Sequence, residues 1–266
     1  MKVNIIDTTL NYSNEEFMNL DSYKRIEAVK FISGMGVSQL EIKFNLNDKD
    51  LRKEIIQITN LDLKSKISVY SRLDIENVRR SIDIGTDVIH ISVPLYKNED
   101  DKNRIKENIK RCINCCIEES ECEVTVGIED ASRADINFII ELSKIVLYEG
   151  ARRIRYCDGV GILYPKRILH QIKTIKEAVD MPIEISAKDE YGMGIVNSIG
   201  AIKAGAEYMV SSMFGKGRKI DNCNYFKFIK SVYESTENII FTNKFKNMHE
   251  LDECEIALKK VIGEAV

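Results

Sequence analysis

Residues 184–194, EISAKDEYGMG, place a hydroxyl (Ser186), an amine (Lys188) and two carboxylates (Asp189, Glu190) within five residues. They follow a short apolar run and precede a glycine-broken helix start, so these side chains sit where a buried strand emerges into a turn. Several chemistries suit such a cluster. A desolvated lysine can act as a general base or form an imine with a small oxo acid, because burial favours its neutral form. A lysine that keeps its proton is a fixed positive charge for an anionic ligand. Paired with a nearby carboxylate such as Glu41 or Asp7, it closes the site and does neither. The residues alone leave all three readings open, and Asp189 and Glu190 next door oppose the first.

Comparable polar groups stand at the ends of other apolar runs. They are Asp7, Thr8 and Thr9 with Asn11 and Tyr12, then Glu41 and Lys43, Ser71 and Arg72, and His90. Further along come Glu129, Asp130 and Arg133, then Tyr156, Asp158 and Gly159. If these ends meet, four cations (Lys43, Arg72, Arg133, Lys188) converge on one mouth. That composition suits a ligand carrying carboxylates or phosphates. Ion pairs with Asp7, Glu41, Glu129 and Asp158 are the alternative. GKGRK (215–219) has the glycines of a phosphate-cradling loop, and two glycines fit a plain turn equally well. Cys112, Cys115 and Cys116 share one helix face at i, i+3 and i+4. No second Cys or His group has matching spacing, so they read as small buried thiols rather than as a metal site. His170 and His249 fall in helical patterns as surface or packing residues, and His90 in an apolar strand as a satisfied core residue.

The elements that must position these groups are short β-branched runs at 3–9, 39–44, 66–71, 88–94, 122–130, 152–160, 182–189 and 208–214. Each is followed by a segment of helical spacing, several ending at glycine, as at Gly34, Gly36, Gly150 and Gly205. The runs read as continuously apolar, the pattern of strands covered on both faces. Eight such units predict an α/β fold, a (β/α)8 TIM barrel in one domain over 1–266. The barrel proper takes about 1–235, and a C-terminal extension with a helix over 248–263 follows. In that architecture the working face is the C-terminal end of the strands, where the candidates above fall.

A net charge of −3 argues against nucleic acid as a partner. No apolar run approaches the roughly 20 residues that cross a bilayer, and no leader pattern precedes the first strand, so no membrane is expected. Seven cysteines without framework spacing suit a reduced, cytoplasmic chain.

EDASRAD (129–135) and GARRIRYCDGVGILYP (150–165), continued by IIDTTL (5–10), QLEI (39–42), YSRLD (70–74) and YGMG (191–194), resemble the homocitrate, isopropylmalate and citramalate synthases. The nitrogenase-associated homocitrate synthases are the nearest in look. The resemblance runs along nearly the whole chain as far as a family barrel goes, without most of the family's lid and C-terminal region. It implies a metal-dependent barrel that condenses acetyl-CoA with a 2-oxo acid. It also implies a cation held by an acidic residue after the first strand and two histidines after the seventh. At those positions this chain has Tyr12, Ser186 and Lys188, and Asn11 stands where the family has its catalytic arginine. The family's acid–base pair in the glycine loop is lost, while Gly215, Gly217 and Asn222 remain. What survives is Asp7, Glu41, Arg72, Glu129, Asp130 and Arg133, and the arginine matching Arg133 binds substrate carboxylates in the family. A protonated lysine has three donors and no lone pair, so it ligates no metal. The expectation is a chain that holds no metal or other cofactor, with Glu41, Arg72, Glu129, Arg133 and Lys188 as candidates for binding a 2-oxo acid or carboxylate. It is expected to work beside an intact homocitrate synthase-like subunit or as a self-dimer.

Overall fold

A computed structural model describes residues 2–10, 17, 19–95, 101–216, 222–235, 239–241 and 245–263. Eight parallel strands follow one another in chain order: β1 (Lys2–Asp7), β2 (Gln39–Ile42), β3 (Lys66–Arg72), β4 (Val88–Pro94), β5 (Glu123–Glu129), β6 (Arg153–Asp158), β7 (Ile183–Ala187) and β8 (Tyr208–Ser211). Each pairs with the next, and β1 pairs with both β8 and β2, which closes the sheet into a barrel. A short β9 (Ile240–Phe241) adds to β1 at Lys2 and Val3, an element the sequence patterning does not reveal.

Helices α1 (Ser22–Gly34), α2 (Lys49–Thr59), α3 (Ile75–Ile82), α4 (Lys102–Glu119), α5 (Ile136–Tyr148), α6 (Pro165–Ala178), α7 (Gly194–Lys203) and α8 (Tyr225–Glu234) follow the eight strands, and α9 (Met248–Ile262) packs on α1. Local chemistry starts them where the sequence directs. Asp21, Asp48, Asp74, Asp101 and Asp135 each accept a backbone N–H of the first turn. Such a cap typically contributes about 1 kcal/mol. Gly36, Gly150 and Gly205 follow their helices at positive φ. Among the described residues no helix is long and apolar enough to cross a membrane.

The apolar core lies between strands and helices. On β4, Ile89, Ile91 and Val93 point outward to the helix layer and are fully buried. The inward positions carry a different chemistry, and this corrects the reading of the strands as continuous apolar runs. Gln39 and Glu41, Ser68 and Tyr70, His90 and Ser92, Thr125 and Glu129, Arg153 and Arg155, and Glu184 and Ser186 alternate with apolar neighbours. Hydrogen bonds among all of these but Ser186, which shares their parity, place them in the barrel lumen. Alternation survives here because the lumen is filled by paired polar groups, while only the helix-facing side is oily.

Candidate functional site at the barrel mouth

β6 and β7 build the floor. Arg153 donates from Nε to Glu184 Oε1 at 2.6 Å and from Nη2 to Gln39 Oε1 at 2.7 Å. One layer up, Arg155 Nε donates to Glu184 Oε2 at 2.7 Å, and its two terminal nitrogens grip Glu41 at 3.0 and 2.6 Å. Two guanidiniums and two carboxylates, all buried, thus compensate one another. Burial works to raise the Glu184 carboxyl, but the Arg155 and Arg153 charges override it and hold it at about 2. Glu41 is likewise held below the usual carboxylate range by Arg155 against the effect of burial.

His90 lies beside this stack. Its Nδ1 is 2.8 Å from Thr125 Oγ1 while Nε2 has no partner, so the ring is only half satisfied, in contrast to the sequence expectation. Burial, helped by Arg155, pulls its pKa down to about 4 and keeps it neutral near pH 7. Gly127 on β5 makes room for it: a Cβ there would lie 2.5 Å from His90 Nε2.

Above the floor opens a cavity of about 120 Å³. Glu41, Lys43, Tyr70, Glu129, Ser186 and Lys188 give it its polar character, with Val210 and Gly159 on the wall and Asn222 at the rim. The Tyr70 hydroxyl donates to Ser92 Oγ at 2.7 Å, which donates to Glu129 Oε1 at 2.8 Å. Lys43 Nζ stands over the Tyr70 ring, 3.8 Å from its centre. Lys188 donates from Nζ to Asn222 Oδ1. Burial lowers the Lys188 pKa, Glu129 opposes the shift, and Lys43 and Arg155 add to it.

The structure therefore brings together Glu41, Glu129 and Lys188 of the expected ligand-binding set, with Lys43 and Ser186. Arg72 keeps the inward parity of Tyr70 but ends exposed above it, outside the cavity lining. Arg133 is half exposed and its guanidinium is bonded to Asp130. The reason is local: Asp130 takes the left-handed conformation, with φ 58°, and the chain turns at once into a 3-10 turn over Ala131–Arg133. Two of the four expected cations line the mouth and two do not.

Several carboxylates turn out to serve the backbone. Asp7 accepts from the Thr9 N–H at 3.0 Å and the Thr9 hydroxyl at 2.9 Å. Asp158 accepts from Leu163 N at 2.9 Å, and Asp189 from Gly194 N at 2.6 Å at the start of α7. Tyr156 points outward to Gln171 of α6. The pairing of Lys188 with Glu41 or Asp7 does not occur, because Arg155 and Thr9 hold those carboxylates. Asn11, Tyr12 and most of GKGRK lie outside the described residues. Cys112, Cys115 and Cys116 are buried thiols on α4, and His170 and His249 are exposed.

Arg153, Arg155, Glu184, Tyr70, Cys157 and Asn222 shape the site without having stood out as candidates. The signal for most of them was period-two polarity: Arg153, Arg155 and Cys157 alternate with Ile154 and Tyr156, as Glu184, Ser186 and Lys188 do with Ile183 and Ile185. Asn222 arrives from beyond β8 and has no such signal.

A divalent ion of the kind the resemblance implies needs converging lone pairs. Among the described residues no three His, Cys, Asp or Glu side chains converge in that way. At β7 the donor set is a hydroxyl and an ammonium already bonded to an amide, which does not fit a metal.

Comparison with known proteins places this geometry. The family described as HMGL-like matches residues 2–254. Homocitrate synthase subunit alpha of Clostridium pasteurianum is 38% identical over 98% of this chain and 98% of its own length. Homocitrate synthase 1 of Nostoc is 29% identical over 83% of this chain and 60% of its own. Among solved structures, an HMG-CoA lyase from Brucella melitensis superposes with a TM-score of 0.78 at 11% identity, covering 99% of both chains, a likeness of fold alone. The chain belongs to the HMGL-like family, in the company of the homocitrate and isopropylmalate synthases.

Proposed function

We propose that this chain is one subunit of a split homocitrate synthase, which condenses acetyl-CoA with 2-oxoglutarate to homocitrate in support of nitrogenase cofactor assembly. The metal-dependent chemistry would reside in a partner subunit of the same family that keeps the acidic and histidine ligands. The observation that carries this reading is the end-to-end match, 98% of both chains, to a relative that is itself called a subunit. Ser186 and Lys188 at the family's ligand positions support it, because a protonated lysine offers no lone pair and its charge repels a cation from the single neutral hydroxyl beside it. So do the intact walls: capped helices and a compensated lumen are the features of a chain that still needs its shape.

The test is co-expression with a synthase-like chain from the same genome that carries both histidines. The complex should form homocitrate from acetyl-CoA and 2-oxoglutarate, and this chain alone should form none. Homocitrate made by this chain alone, or a partner fully active without it, would sink the proposal. The second reading is a barrel that binds a di- or tricarboxylate without turnover. The cationic groups in the cavity favour it, Lys188 above all, and it gains if the partner proves self-sufficient. An imine-forming role for Lys188 on a small oxo acid has the lowered Lys188 pKa on its side and no further support in the geometry.

A further inference from the structure

Three cations are buried among the described residues, and each bonds a carboxylate: Arg25 with Glu54, Arg153 with Glu184, and Arg155 with Glu41. Lys188 breaks this pattern. It lies half-buried in the cavity, its hydrogen-bond partner is the neutral amide oxygen of Asn222, and among the described residues no carboxylate lies within ion-pair distance of it. An ammonium withdrawn from water without a counter-charge is costly, so it either loses its proton or acquires an anion. Two positions back on the same inward face of β7, about 7 Å along the strand, the Ser186 hydroxyl has no hydrogen-bond partner among the described residues.

We propose that the barrel mouth is a metal-independent site for one small aliphatic carboxylate, seated between the Lys188 ammonium and the Ser186 hydroxyl, with Asn222 holding the lysine in place. The proposal rests on the reading of the mouth as carboxylate-binding and adds what meets the charge: a lysine of this chain instead of a cation. Lys188 has donors left after Asn222 takes one, and a carboxylate has two acceptor atoms to share between ammonium and hydroxyl. Glu41 and Glu129 in the same lining repel a second negative charge, which selects a single carboxylate over a phosphate dianion. Val210 and Gly159 in the lining give the carbon chain an apolar wall.

The experiment uses the full chain alone, without partner or acetyl-CoA, after chelator treatment and with EDTA present. Titration calorimetry with butanoate, a small aliphatic monocarboxylate, should show binding that added Mg²⁺ or Mn²⁺ does not strengthen, and inorganic phosphate should not compete. Lys188→Met should weaken it about tenfold or more, the loss expected of a partly desolvated charged hydrogen bond. Ser186→Ala should weaken it less. Unliganded Lys188→Met should melt no lower than the parent, because it removes an uncompensated charge. Independently of any variant, butanoate should protect Lys188 from an amine-directed reagent, read by peptide mass spectrometry. Absent binding under EDTA, metal-dependent binding, unchanged affinity in Lys188→Met, or unprotected Lys188 would each overturn the proposal. Absent binding, unchanged affinity in Lys188→Met or unprotected Lys188 leaves the split-subunit reading standing, since that is decided by activity of the complex, while metal-dependent binding would also bear on which subunit holds the metal.

Discussion

Glu184 serves two guanidiniums at once, and its removal leaves both short of a partner deep in the barrel, where all three groups are buried. Breaking a buried pair from one side typically costs about 3–5 kcal/mol. Glu184→Gln should therefore lower the unfolding free energy by roughly that much, measured by urea titration at pH 7. A loss under about 1 kcal/mol would mean that water reaches the lumen. Asp7 behaves oppositely. Burial raises its carboxyl from 3.8 to about 7, with the Thr9 bonds only partly offsetting it. A folded pKa above the unfolded one stabilises fully below about pH 4, and that contribution is lost as pH rises through about 7. The rise from 3.8 to about 7 corresponds to a loss on the order of 4 kcal/mol. Asp7→Asn should remove this falling limb between pH 4 and 7.5, and a parent-like slope in the variant would show that Asp7 is already ionised throughout.

The fit of β4 to β5 turns on one glycine. A methyl at residue 127 would meet the His90 ring at a distance no real Cβ tolerates, and the ring is held on its other side by Thr125. Gly127→Ala should cost about 1–3 kcal/mol as an overpacked core change. The cost should shrink by more than half in a His90→Ser background, since the two sites share one space and their effects are then not additive. An additive double-mutant cycle would place the strain elsewhere. This contact also marks where the sequence stops being readable. The eight strands, the helices after them and the C-terminal helix follow from periodicity and glycine stops, which are local. That the lumen side is polar was also present, as the alternation of Arg153, Arg155 and Cys157 with apolar neighbours, but it was masked by the uniform bulk of the outward residues. Which carboxylate each arginine takes was not legible, because Glu41 and Arg155 are brought together only by closure of the barrel. The same holds for Lys188 and Asn222. Arg133, three residues from Asp130 in a tight turn, is bonded to that carboxylate, a contact that local geometry alone sets.

At the scale of the whole molecule the question is whether the barrel needs a cation to stand. A metal site at a barrel mouth commonly ties several strand ends together, and its loss then loosens the fold. Here β2, β6 and β7 are tied by Glu41, Arg155 and Glu184, while β4 and β5 are tied by Ser92 and Glu129. The charges in the lumen floor compensate one another internally, and β1 closes the ring by backbone pairing to both neighbours. Nothing in that scheme calls for an added positive ion, and the Lys188 ammonium repels one. A metal bound at a hundred times its dissociation constant would stabilise the fold by about 2.7 kcal/mol, which for a chain of this size raises the melting midpoint by roughly 5–10 °C. The midpoint of the purified chain should therefore differ by less than about 1 °C between EDTA and millimolar Mg²⁺, Mn²⁺ or Zn²⁺, a change too small for such a site. A rise of several degrees with one of these ions, lost in Lys188→Met or Glu129→Gln, would mean that the mouth binds a cation after all, and the division of labour proposed for the two subunits would have to be reversed.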